Sequence, residues 1–93
     1  MKNLHWQSCT AQDCAGSPLN LEYDLLVEEV PCGESLLLEN YGIRITSSSG
    51  DSVTLPGITP VRREIEALLG LMWRNSVTPT TARDVALDWL ALR

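Results

Sequence analysis

A chain of 93 residues supports one hydrophobic core, since a domain this short buries roughly two thirds of its unfolded surface. With 44% apolar residues, three Trp, two Tyr and no Phe, Leu, Val and Ile must fill that core, and the composition excludes a wholly disordered chain. The formal charge of −5 is unevenly spread: residues 1–58 set eight acids against Lys2 and Arg44, residues 59–93 four acids against five Arg. The acidic first half repels phosphate, which makes nucleic acid a poor partner.

Cys9, Cys14 and Cys32 are an odd set with no framework spacing, which suits a reducing compartment and a cytoplasmic location. Residues 1–9 hold no apolar core of a signal peptide and do not resemble a lipoprotein cleavage site. No run approaches the roughly twenty apolar residues that span a bilayer, so no membrane partner is expected.

Residues 1–18 mix polar residues, Gly and Pro around Leu4 and Trp6 without helical periodicity. They read as a flexible tail ahead of one domain at residues 19–93, although Leu4 and Trp6 alternate as on a short edge strand. From Leu19 the pattern is clear. Leu19, Leu21, Tyr23, Leu25 and Val27 alternate with Asn20, Glu22, Asp24 and Glu28, a half-buried strand with an acidic outer face. Leu26 interrupts the polar row and is expected to be exposed or to start a twist. Pro31-Cys32-Gly33 then turns the chain.

A second strand spans Ser35 to Ser47 in two phases. Leu36-Leu37-Leu38 is apolar on both faces, while Tyr41, Ile43 and Ile45 alternate with Gly42, Arg44 and Thr46, and a bulge near Glu39-Asn40 would reconcile the two. Gly42, between two buried side chains, marks a close backbone approach. A hairpin loop at residues 47–51 leads to a third strand, Ser52 to Leu55, ended by Pro56-Gly57.

Thr59 as N-cap and Pro60 at the first position announce one helix. Val61, Ile65, Leu68, Leu69 and Met72 form its apolar stripe, and Glu66 can reach Arg62 or Arg63. Gly70 lies on the solvated side, where something packs close or the helix frays. Thr78-Pro79 repeats the start signal for a second helix with the stripe Ala82, Val85, Ala86 and Trp89. Leu87 points about 160° from the centre of that stripe, given 100° per residue, beside Arg83 and Asp84.

Chemistry-bearing residues are sparse. His5, Cys9, Asp13 and Cys14, with Cys32 as a fourth ligand, would be the set of a metal-responsive protein, but their spacing matches no closed zinc site. His5 is the single histidine, so a Ser or Cys nucleophile lacks a ready base, and neither an enzyme nor a cofactor is expected. The helix pair invites a nucleic-acid-associated regulator, yet Thr80, Thr81, Arg83 and Asp84 open the second helix with one base among them. Leu87 is either a protein contact or a singly exposed apolar side chain.

Tyr41-Gly42-Ile43-Arg44-Ile45, Ile58-Thr59-Pro60, Val77-Thr78-Pro79, Asp84-Val85 and Asp88-Trp89-Leu90 resemble the motifs of a family of small uncharacterised bacterial proteins. In that family a Tyr-Gly-Ile-x-Ile strand precedes a helix and a Val-Ser/Thr-Pro turn leads to Asp-Val-x-x-Asp-Phe-Leu. The resemblance covers residues 36–92, with Trp89 at the Phe position, and implies a domain of unknown function without assigning an activity or a site. Asp84 and Asp88, four apart, repel one another unless Arg83 or Arg74 reaches them. The reading is thus an α+β fold, a three-stranded antiparallel meander with room for a fourth N-terminal edge strand, covered on one face by two helices. The expected function is a non-catalytic interaction module whose partner is another protein or a second copy, through Leu87, Asp84, Asp88 and Leu26.

Overall fold

Period-two alternation carries the chain into β1 (Lys2–Gln12), β2 (Pro18–Pro31), β3 (Leu37–Ser47) and β4 (Ser52–Thr59), and period 3.6 into α1 (Arg62–Arg74) and α2 (Pro79–Ala91). The computed structural model describes residues 1–12 and 15–92. The strands form one antiparallel sheet in the order β1-β2-β3-β4, each paired with its sequence neighbours. This is the expected α+β meander, with the fourth strand at the N-terminal edge.

Of the two forms weighed for the N-terminal residues, residues 2–12 take the edge strand rather than a free tail: Lys2 lies opposite Val27 and Gln12 opposite Pro18. The cause is tertiary. A register shift between His5 and Gln7 marks a bulge at Trp6, whose ring meets Trp73 edge to face at 6.3 Å and 82°. The Trp73 indole N–H then donates to the Ser8 carbonyl at 3.1 Å.

Odd-numbered residues of β2 and β3 face the helices. Leu21, Tyr23, Leu25, Val27, Tyr41, Ile43 and Ile45 meet Ile65, Leu68, Leu69 and Met72 of α1 and Ala82 and Ala86 of α2. Each fully buried Leu or Ile among them stabilises the fold by about 1.5–3 kcal/mol. Val85 and Trp89 lean on this core from α2.

Three local expectations are corrected. No bulge lies near Glu39-Asn40, because β2 and β3 stay in register from Leu21 opposite Ser47 to Pro31 opposite Leu37. The irregularity is in β4, which does not stop at Leu55. Tyr41 pairs with Thr59 and Ile43 with Leu55, so Pro56, Gly57 and Ile58 together oppose Gly42. This bulge folds against Gly42, where a Cβ would strike the Leu55 carbonyl oxygen and lie 2.7 Å from the Pro56 Cα.

The second correction concerns the start of α1. Because β4 continues to Thr59, the N-cap position falls on Val61. The Thr59 hydroxyl accepts the Val61 N–H at 3.2 Å and donates to Glu64 at 3.2 Å, so it secures the approach to the helix instead of capping it. Val61, expected in the apolar stripe, is consequently 40% exposed. The third concerns Gly70, which is buried on the side expected to face solvent, so that of the two readings of this glycine close packing holds and fraying does not. The absent side chain leaves room for the Arg74 guanidinium and the Trp6 ring.

The end of α1 is closed by backbone bonds. The Val77 N–H donates to the Met72 carbonyl and the Ser76 N–H to the Trp73 carbonyl, the reciprocal pattern that normally places Gly in a left-handed conformation after the helix. Here the residue is Ser76, at φ 50°. An L side chain in that region costs about 1–2 kcal/mol, part of which Gly returns as chain entropy. Ser76→Gly is therefore expected to raise stability by up to about 1 kcal/mol, read as an upward shift of the urea midpoint with an unchanged slope. An unchanged or lower midpoint would show that the Ser76 side chain offsets its backbone strain. The second helix starts as expected, with Thr78 at the N-cap and Pro79 inside the first turn.

Candidate interaction surface

Period 3.6 places Ala82 and Ala86 inward on α2, which obliges Asp84, Leu87 and Asp88 to face outward, and all three are exposed. Leu87 is 57% exposed. It lines a shallow groove of about 230 Å³ between α2 and β4, with Leu55, Pro56, Ile58, Arg83 and Leu90 among its walls. Pro56, Gly57 and Ile58 of the β4 bulge form the wall of the groove that faces α2.

Asp84 and Asp88 flank Leu87 on the same helix. The anticipated clasp to Arg74 is not made, since that guanidinium lies over Gly70. Leu26 does not join this surface. It is only 4% exposed, between Asn3 of β1 and Gly42 of β3 on the helix-free side of the sheet. The expectation that Leu26 is exposed fails because β1 covers one flank and the β4 bulge settles over the neighbouring Gly42. Trp73 is held by Ser8 and Trp6, and Trp89 packs against the core.

The residues weighed as metal ligands are dispersed. Cys9 lies opposite Leu21 on the helix side, 3.8 Å from the Tyr23 hydroxyl. His5 lies opposite Asp24 on the other face, its Nδ1 3.4 Å from that carboxylate. Cys32 is an exposed free thiol in the β2–β3 turn, and Asp13 and Cys14 fall outside the described residues. On the helix side, burial pushes the Tyr23 hydroxyl well above its ordinary pKa of 10.0, and the Cys9 thiol adds to this. Tyr41 is also raised, first by burial and then by its hydrogen bond to Glu39, with Arg62 pulling the other way.

A second exposed feature escaped sequence reasoning. Residues 28–31 of β2 and 37–40 of β3 pair only with each other, because β1 pairs as far as Val27 and β4 as far as Tyr41. They form a two-stranded arm that extends the molecule to 53 × 27 × 17 Å. The radius of gyration is 14.1 Å, against about 12 Å for a spherical packing of this length. Leu36, Leu37 and Leu38 on the arm are 53–66% exposed. A run of three leucines reads as core, and only its position beyond both neighbouring strands reveals otherwise.

The match to known families takes in every element just described. Residues 2–92 fit the model of a family of unknown function (DUF6514). The chain belongs to this family. That agrees with the implied domain of unknown function, and the match includes β1, which the motif resemblance did not reach. Neither the curated proteins nor the solved structures provide a match. Among the described residues no helix is long and apolar enough to cross a membrane.

Proposed function

We propose that this protein is a small, non-catalytic, cytoplasmic protein–protein interaction module that self-associates through the outer face of α2. The observation that carries the reading is Leu87: a large apolar side chain, 57% exposed, on the rim of an apolar groove and flanked by Asp84 and Asp88. A two-fold contact about Leu87 is self-complementary. It brings Leu87 and Leu90 of two copies together and leaves the two aspartates on a solvated rim, the usual division between the apolar centre and the polar edge of an interface. Free thiols at Cys9 and Cys32 accord with a reducing compartment.

Leu87→Asp is expected to weaken self-association at least about tenfold, the effect of losing one central contact, while circular dichroism stays unchanged. Light scattering across a concentration series reads the result. If parent and variant are both monomers with the same partners, Leu87 is a singly exposed side chain and this reading is lost.

A further inference from the structure

The arm of residues 28–40 is separate from the Leu87 groove and shares no residue with it. Its make-up is peculiar. Glu28, Glu29, Glu34 and Glu39 are its charged residues, and it contains no Lys, Arg or His. Val30 lies directly opposite Leu38 on one face and Pro31 opposite Leu37 on the other, so the outer part of the arm is apolar on both sides. Val30 is 38% exposed and Leu36, Leu37 and Leu38 more so. Each outer edge lacks a strand neighbour, beyond β1 on one side and beyond β4 on the other, although Met1 and Lys2 at the start of β1 line a shallow depression with Glu28 and Glu29.

A two-stranded ribbon alone is marginally stable in water, and an apolar ribbon with free edges is a template for a further strand. The four carboxylates decide which strand. Glu29 already faces Glu39 directly, an unfavourable like-charge pair that a cation placed between or beside them would relieve. Two arms brought edge to edge would add to this repulsion, anionic lipid headgroups would be repelled, and so would nucleic-acid phosphates. An incoming chain with alternating apolar and basic residues matches the two faces: its apolar side chains flank Val30 and Leu38 on one, its cations meet the facing pair Glu29 and Glu39 on the other, and its backbone groups close the edge.

We propose that the arm is a docking site for an extended segment of another protein, apolar on one face and rich in Lys or Arg on the other, which adds to it as a third strand. The test uses the intact protein and two synthetic peptides of about seven residues, a length typical of a strand. One alternates valine with lysine and the other alternates valine with glutamate. Binding is measured by fluorescence anisotropy at about 50 mM and about 0.5 M salt, where charge screening differs severalfold.

The lysine peptide should bind the parent and the glutamate peptide should not. L36S/L38S should weaken binding at least tenfold. A variant carrying Glu28→Gln, Glu29→Gln and Glu39→Gln should weaken it at low salt and flatten its salt dependence. Glu22→Gln, on the polar sheet face, and Leu87→Asp should leave it unchanged, which separates this result from the self-association tested above. Three outcomes overturn the proposal: no binding by the parent, equal binding by L36S/L38S, which would signify general attraction to an acidic protein, or conversion of a dimeric parent to monomer by L36S/L38S, which would make a second copy the occupant.

Discussion

Gly42→Ala is expected to cost about 3 kcal/mol, at the upper end of the usual penalty for overpacking, and for a domain this size to lower the melting temperature by more than about 10 °C. The added Cβ would meet the Leu55 carbonyl oxygen, the Pro56 Cα at 2.7 Å and the Gly57 nitrogen at 3.2 Å. All three belong to the backbone, so no side-chain rotation relieves the clash. The β4 bulge would have to lift away, carrying Leu55 out of the core and loosening the approach to α1. Gly70→Ala is the contrast: its Cβ would meet the mobile tip of Arg74 at 3.4 Å and Trp6 at 3.9 Å, and the helix would gain up to about 1 kcal/mol in propensity. The same substitution should therefore lower the thermal midpoint at position 42 and hold or raise it at position 70. Equal midpoints for parent and Gly42→Ala would mean that the bulge does not bear on Gly42.

Tyr23→Ala is expected to cost about 3–5 kcal/mol, as for other large buried aromatic side chains, because Tyr23 is fully buried at the centre of the sheet. Tyr23→Phe isolates the hydroxyl, which donates to the Val77 carbonyl at 2.8 Å and ties β2 to the turn between the helices. Losing that bond should cost about 1–2 kcal/mol. The same hydroxyl predicts a pH dependence. Its pKa is raised on folding, so below pH 10 it is protonated in both states and its contribution is complete. Above pH 10 the unfolded chain ionises first, and folding stability falls by about 1.4 kcal/mol per pH unit until the folded group ionises too. Urea unfolding of parent and Tyr23→Phe between pH 8 and about 11 should show the two converging as pH rises. Parallel curves would mean that the hydroxyl titrates normally in the folded protein.

Much of the architecture was legible locally. The odd-numbered run from Leu21 to Val27, the alternation of Tyr41, Ile43 and Ile45, the α1 stripe from Ile65 to Met72, and Ala82 and Ala86 of α2 placed buried side chains where the structure has them, because burial on one face is what creates such periodicity. Thr78-Pro79 marked the start of α2 because Pro at the first turn loses no hydrogen bond. The Thr59-Pro60 signal, identical in form, failed because β-pairing with Tyr41 held Thr59 in the sheet. In the candidate surface, Leu87 was legible from its angle to the stripe, while Leu26 was misread because nothing local shows that β1 and the β4 bulge enclose it.

By itself the sequence determined the fold class, the inward faces of β2, β3 and both helices, and the outward position of Asp84, Leu87 and Asp88, since each follows from a repeat of two or 3.6 residues within one element. Tertiary structure alone decided the strand at residues 2–12, the β4 bulge over Gly42, the burial of Leu26 and the exposure of the leucine arm. Those depend on contacts between distant segments, Trp6 with Trp73, Gly42 with Pro56, and on where one strand outruns its neighbours. A local pattern records which residues prefer burial; only pairing and packing determine which of them obtain it.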